Sequence, residues 1–291
     1  MQIVSFKQVD VFTTRALGGN PVAVVLDAEG LDATQMQRIA RWTNLSETAF
    51  VLPTTTSAAS YRVRIFTPMQ ELPFAGHPSV GTAHAVLEAQ QVSAKRGDLV
   101  QECAAGLLPV RIDHVEGLRR VSIRAPAAKR LPAPPGSRAL LDAALAGQPR
   151  GAIAPQLYDN GPLWWLVELA SDAAVRAHRP DLAAIAALTD ATHGVGLAVF
   201  ADASAADHQR VVRAYCPADG IPEDPVTGSA NAAIGELLLA EGRCRVGDRY
   251  VASQGREIGR DGHVEVALRD DGVWIGGHSV TVIDGMFRFD E

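Results

Sequence analysis

The sequence predicts an α+β chain built as two similar halves, each a sheet wrapped round one central helix. Three observations predict it: a motif repeated at half the chain length, an all-apolar helix pattern after each copy, and short β-branched segments around both. A length of 291 residues also fits about two domains of ordinary size.

Self-similarity at long range decides the architecture before any single element does. Residues 64–77 read RIFTPMQELPFAGH, and residues 213–229 read RAYCPADGIPEDPVTGS. In both, Arg is followed by an aromatic two places on, Pro four on and Pro nine on. Arg64 to Arg213 is 149 residues, as is Pro73 to Pro222, whereas Gly76 to Gly228 is 152. On this spacing the second copy carries three extra residues, among them Glu223 and Asp224.

In chain order, strand patterns cover Ile3–Phe12, Val22–Leu26, Thr48–Leu52 and Tyr61–Phe66, all rich in β-branched or aromatic residues. Between the second and third lies a helix from Asp32 to Thr43, opened by a capping box of Asp32 and Gln35. GHPSVGTAHAVLEAQ follows Ala75, with Pro78 suited to a first helical turn because its missing N–H has no partner there anyway. The segment 126–151, rich in Pro and Gly, contains the expected linker. Beyond it come strands at Leu163–Leu169, Gly196–Phe200, Val211–Tyr215 and Val264–Leu268. The second helix, GSANAAIGELLLAEG, has Ser229 as an N-cap type and Gly242 as a stop. Both central helices are small or apolar nearly all round, the mark of a buried helix. Ser279–Phe289 reads as a strand that returns to the first half, giving domains of 1–125 plus 279–291 and of 126–278.

Composition removes several function classes. With 47% apolar residues the chain has ample core material, and no apolar run reaches the roughly 18 residues that span a bilayer. A formal charge of −6 gives no electrostatic reason for a nucleic-acid partner. The three scattered cysteines form no C-x-x-C pair, which argues for reduced thiols in a cytoplasmic protein and against a disulfide scaffold or zinc site. Phosphate-loop, dinucleotide, nucleophile-elbow and H-E-x-x-H patterns are all missing. His84 reads as buried in its helix face, and Trp164–Trp165 as core.

If the halves are related by a pseudo-twofold axis, the two Gly-led helix starts converge. Each offers unpaired N–H groups and about half a positive charge, so the pair suits a small carboxylate metabolite. Singly, Glu47 reads as a solvated strand-end residue, His77 as a helix-start residue bonding its neighbours, and Asp224 as a turn residue. Together with the helix starts they supply a carboxylate, an imidazole and a second carboxylate for proton transfer.

These residues carry a resemblance. GNPVAVV (Gly19–Val25), NLSETAF (Asn44–Phe50), ELPFAGHPSVG (Glu71–Gly81), EDPVTGSA (Glu223–Ala230) and SQGREIGR (Ser253–Arg260) resemble the family of the phenazine-biosynthesis isomerase PhzF, almost end to end. The resemblance implies a diaminopimelate epimerase-like fold of two pseudo-symmetric domains, each a mostly antiparallel sheet round a central helix. It further implies a cleft site, a homodimer and no cofactor or metal. Glu47 matches the family's general acid/base, His77 the histidine that positions substrate and shuttles protons, and Asp224 the aspartate on the opposite wall. Ser46, Gly76, Gly228 and Ser229 match substrate-holding positions. The phenazine enzyme isomerises trans-2,3-dihydro-3-hydroxyanthranilate. Epimerase relatives use two cysteines as acid and base, but those places hold Ala75 and Thr227, which disfavours a two-cysteine racemase. The expected function is a cofactor-independent isomerase moving a proton within a small carboxylate metabolite. An amino-acid or cyclic imino-acid epimerase and a non-catalytic metabolite-binding protein are the alternatives.

Overall fold

The computed structural model describes residues 2–94 and 97–289. It divides into two compact units, Met1–Arg124 with Gly276–Glu291, and Ala125–Ile275.

The first unit contains β1 (Gln2–Val11), β2 (Asn20–Val25), α1 (Ala33–Thr43), β3 (Thr48–Leu52), β4 (Tyr61–Phe66), β5 (Glu71–Leu72), α2 (Gly76–Glu88), β6 (Asp98–Cys103), β7 (Gly106–Val115) and β8 (Leu118–Arg124). β1 pairs antiparallel with β2, and β2 runs parallel to β3. β3 and β4 are antiparallel, β4 and β6 parallel, and β6, β7 and β8 form an antiparallel meander. The β7–β8 turn is Glu116–Gly117, with φ of 52° and 80°, the left-handed pair that a two-residue hairpin requires. Strands β1, β2, β3, β4 and β8 all pack on α2, and every residue from Gly76 to Val86 is buried. Gly81 is where this packing is closest: a Cβ there would strike the Val11 and Val22 side chains. α1 buries Met36, Ile39 and Ala40 against Val4, Val25, Phe50 and Phe66. Its capping box is formed as the sequence predicts, Gln35 N donating to Asp32 and Asp32 N to Gln35.

The second unit contains β9 (Lys129–Leu131), α3 (Ser137–Ala144), β10 (Gln156–Asp159), β11 (Leu163–Glu168), α4 (Asp172–Ala177), α5 (Leu182–Thr192), β12 (Gly196–Asp202), β13 (Arg210–Cys216), β14 (Ile221–Asp224), α6 (Gly228–Ala240), β15 (Arg249–Gln254), β16 (Gly262–Arg269) and the start of β17 (Gly272–Phe289). β11 and β12 are parallel, β12 and β13 antiparallel, β13 and β15 parallel, β15 and β16 antiparallel. That is the pairing order of β2, β3, β4, β6 and β7 in the first unit. α6 packs on β11 and β16 and is buried from Gly228 to Leu238 except at Glu236. Trp164 and Trp165 are core, 2% and 1% exposed.

Three expectations change. Segment 126–151 is mostly folded: β9 pairs with β10, and α3 packs on α5. Phe12 ends the first strand, because its φ of 65° leaves the extended region. The third concerns the repeat. Leu72 pairs with Ile65 and Asp224 with Ala214 in matching hairpins. Glu71 therefore corresponds to Glu223, Leu72 to Asp224 and Pro73 to Pro225. The three extra residues precede Glu223, in the short 3-10 turn Pro217–Asp219 and its exit, and do not include Glu223 or Asp224.

Candidate functional site

Glu47 follows the left-handed Asn44 that ends α1 (φ 53°) and immediately precedes β3. Asn44 turns the chain sharply, and the hydroxyls of Thr43 and Thr48 close the bend at 2.8 Å. This sets Glu47 Oε2 3.4 Å from His77 Nε2, with side chains 15% and 4% exposed. His77 occupies the second position of α2, after the N-cap Ala75 and Gly76. Burial pushes its imidazole down to about 3, so the ring is neutral across the physiological range. Its Nδ1 lies 3.2 Å from the amide nitrogen of Asn20, whose amide oxygen accepts from the Ser46 hydroxyl at 3.5 Å. With the Asn20 nitrogen donating to Nδ1, the single proton of the neutral ring sits on Nε2, the nitrogen 3.4 Å from Glu47 Oε2. The bonds Ser46–Asn20–His77 therefore fix the ring, and Glu47 stands beside it in a largely dry setting.

The start of α2 is braced from inside. Ser79 donates through both its backbone N and its hydroxyl to the Ala75 carbonyl, and Gln101 donates to the Ser79 hydroxyl at 2.9 Å. The N–H groups of Gly76 and His77 lie outside the intrahelical ladder, as at any helix start.

In the second unit Asp224 ends β14, with 7% exposure. The hydroxyl of Thr227, the N-cap of α6, donates to Asp224 Oδ2 at 2.5 Å and does not cap the helix. Gln254, in SQGREIGR, accepts from Thr227 N at 3.0 Å and donates to Thr227 Oγ1 at 2.8 Å and to the Asp224 carbonyl at 3.0 Å. Ser229 is not the N-cap expected from its type. It lies one turn position inside α6, where its hydroxyl accepts from Trp164 Nε1 at 3.1 Å and its carbonyl from Asn160 at 2.9 Å. Gly228 opens the helix as its first residue.

The repeated arginine also has a partner in each unit. Arg64 makes two 2.7 Å bonds to Glu71, and Arg213 bonds Glu223 at 2.9 and 2.8 Å. Each pair ties the short strand before a central helix to the long strand beside it.

The sequence profile of the phenazine biosynthesis-like protein family, PhzC-PhzF, matches residues 9–285. The chain belongs to this family. PhzF-type relatives include the trans-2,3-dihydro-3-hydroxyanthranilate isomerase of Pseudomonas chlororaphis, 36% identical over 87% of this chain and 86% of that one. Antisense-enhancing sequence 1 of Schizosaccharomyces pombe is 34% identical over 97% of both chains. Among solved structures, the PhzF-family phenazine biosynthesis protein of Bacillus anthracis covers 99% of this chain and 100% of its own, with a TM-score of 0.85 and 25% identity. A hydroxyproline epimerase from Agrobacterium vitis shares the fold, at TM-score 0.70 and 14% identity, over 99% and 93% of the chains. The protein is an isomerase-class enzyme.

Within this PhzF-type chain, sequence reasoning placed Ser46, Glu47, Gly76 and His77 in one set of segments, and the first unit brings Ser46, Glu47 and His77 together, Ser46 and His77 both bonded to Asn20 and Glu47 3.4 Å from the ring. It placed Asp224, Gly228 and Ser229 in another, and the second unit gathers them at one helix start. Asn20 and Gln254 were missed as individual residues, though both lie in the motif segments GNPVAVV and SQGREIGR. Among the described residues, Asp207, His208 and His263 bring three possible metal-ligand atoms within 4.8 Å. Arg256 and both histidines already bond the Asp207 carboxylate, and Arg176 approaches His208 Nε2 at 3.3 Å. With two guanidinium groups at the cluster, hydrogen bonding accounts for it and a cation fits poorly. An apolar hollow of about 440 Å3, lined by Ile39, Trp42, Phe287 and Phe289 on α1 and β17, contains none of the predicted site residues.

Proposed function

We propose that the enzyme moves a proton between two carbons of a small carboxylate-bearing, unsaturated or cyclic metabolite, with Glu47 as general acid/base, in the manner of trans-2,3-dihydro-3-hydroxyanthranilate isomerase. The observation that carries this is the Glu47–His77 pair at 3.4 Å with a neutral imidazole. The His77 Nε2–H stabilises the Glu47 carboxylate that must act as base. Glu47 takes a proton from carbon, the electron pair left behind spreads over the conjugated system, and the resulting carboxylic acid returns the proton at another carbon. Asp224 binds the substrate's amine or hydroxyl. Ser46, Ser229 and the first N–H groups after Gly76 and Gly228 bind its carboxylate and polar substituents.

The one-carboxylate reading also has support against a two-base racemase acting from the two helix starts, though an epimerase that uses Glu47 with another base stays open to the same test. Ala75 has no exchangeable proton, and the Thr227 hydroxyl is committed to Asp224. We further propose that the two units are duplicated, pseudo-symmetric domains divided near residues 125 and 279. The enzyme is proposed to be a cytoplasmic homodimer without a cofactor; light scattering should then return twice 30.8 kDa. Among the described residues no helix is long and apolar enough to cross a membrane.

Proton NMR in D2O tests the reaction, with trans-2,3-dihydro-3-hydroxyanthranilate beside a panel of cyclic and unsaturated amino acids. Exchange or product formation should need Glu47, and Glu47→Gln should cut turnover about 10²–10⁴-fold while leaving the fold intact. A Glu47→Gln variant with near wild-type rate sinks the assignment. Binding of a carboxylate with no exchange at all would put the binding-protein reading ahead.

A further inference from the structure

The hydrogen bonds around the start of α6 admit only one arrangement of protons. Gln254 is fully buried, as is Asn231, while Thr227 and Asp224 are 4% and 7% exposed. Two donors meet at Gln254 Oε1: the Thr227 backbone N–H at 3.0 Å and the Asn231 amide at 3.2 Å. The same Asn231 amide also donates to the Thr227 carbonyl at 2.8 Å. Turning the Gln254 carboxamide over would set its NH2 against both donors, so its orientation is fixed. Its Nε2 then donates to Thr227 Oγ1 and to the Asp224 carbonyl. A hydroxyl that receives an N–H still has one proton to give, and the acceptor 2.5 Å away is Asp224 Oδ2.

We propose that Gln254 is the positioning residue of the second unit's binding group: it drives a one-way hydrogen-bond chain, Gln254 to Thr227 to Asp224, that holds the Asp224 side chain as an oriented acceptor. Two consequences follow for specificity. Thr227, whose hydroxyl donates to Asp224, has no proton to spare for a ligand. Asp224 selects a substituent that donates, an amine or hydroxyl, over one that only accepts. This rests on the reading above that Asp224 contacts substrate. No charged residue takes part in the Gln254 end of the chain, so its effect is one of direction.

Gln254→Glu tests direction with almost no change of shape. An ionised carboxylate keeps the two acceptor contacts from Thr227 N and Asn231 but cannot donate to Thr227 Oγ1, and the carbon signal of the new carboxyl reports whether it is ionised. The Thr227 hydroxyl then turns away from Asp224. Thr227→Val removes the same bond by another route, and Thr227→Ser keeps it. The first readout needs no activity: the carboxyl carbon signal of Asp224 in labelled protein, assigned by its loss in Asp224→Asn. It should move in the same direction in Gln254→Glu and Thr227→Val and stay in place in Thr227→Ser. The second readout is kinetic. KM for a donor-bearing substrate should rise about 10-fold or more in the first two variants, as expected for one bond to a charged group, with kcat within about threefold and Ser rescuing.

An Asp224 signal that stays put in Thr227→Val, or in Gln254→Glu with the new carboxyl ionised, overturns the proposal. So does a loss confined to kcat, or an equal loss in Thr227→Ser, since those report distortion of α6. If the wild-type enzyme turns over none of the panel, the isomerase reading falls. The carbon signal then still decides the chain alone, its shift supporting Gln254 and its constancy overturning the role.

Discussion

Asn20 shows how much one neutral side chain can decide. It is fully buried and touches the ring nitrogen that does not face Glu47. Asn20→Asp places an acceptor against Nδ1, which draws the ring proton there and favours the charged imidazole. Nε2 of the neutral ring would then turn a lone pair toward the Glu47 carboxylate. The expected outcome is a fold that survives, turnover at least about 10-fold lower, and ring 15N shifts that report the changed tautomer or charge. Unchanged 15N shifts would show that Asn20 does not set the ring. Glu47, His77 and Asp224 each have a bland reading alone, and it is their combination with the helix starts and the family motifs that singles them out in the sequence. Asn20 and Gln254 were not, because what marks a buried amide as important is its partner, and theirs lie 57 and 27 residues away. The Ser229 cap was misread for a related reason: Thr and Ser are both good cap types, and only Trp164 and Asp224, both brought in by the fold, decide which hydroxyl goes where.

The two arginine–glutamate pairs are one element in two environments, which makes them a controlled comparison. Arg64 and Glu71 have side chains 28% and 37% exposed, whereas Arg213 and Glu223 are 7% and 9% exposed. A surface pair contributes about 0–1 kcal/mol, and removing one member of a buried pair costs about 3–5 kcal/mol because the other charge is stranded. Arg213 also donates to the carbonyls of Val175, Arg176 and His178, so its loss frees further acceptors. Arg64→Met should therefore shift the urea midpoint only slightly, and Arg213→Met should lower it severely. Equal shifts would mean that burial is not what separates the pairs. At this scale the central helices, the capping box and most strands could be read from periodicity. β6, β7 and β8 escaped, since Arg111, Asp113, His114, Arg119 and Arg120 crowd the exposed faces of the last two and blur the alternation. The insertion was misplaced because Pro222 mimics Pro73 in spacing. Hairpin register alone shows that Asp224 stands where the first unit has Leu72.

Three buried histidines contribute to how the protein responds to acid. Burial lowers His77 to about 3, and His84 and His178 each to about 4. Unfolded, each titrates near 6.5, so between that value and the lowered one the unfolded chain binds protons that the native protein refuses. Their contribution is whole above pH 6.5 and is lost as pH falls, by about 1.4 kcal/mol per pH unit for each histidine. The melting temperature should drop steeply from pH 6.5 towards 4, and His178→Asn, which loses one titrating group but keeps a partner for Tyr215, should flatten that slope. A slope unchanged in the variant would remove His178 from the account. The motif repeat needs no tertiary knowledge to be seen, and the two compact units share one strand-pairing order. One strand joins them: β17 begins at Gly272 in the second unit and pairs with β1 from Val11–Ser279 to Gln2–Phe289 in the first. The first unit is therefore discontinuous in sequence. Strand β1 has β2 close by in the chain, but its other neighbour lies beyond the whole of the second unit, Val11 pairing with Ser279, 268 positions on. Completing the first unit means closing a loop that holds the second, so on refolding from denaturant the first unit should be the slower of the two to close.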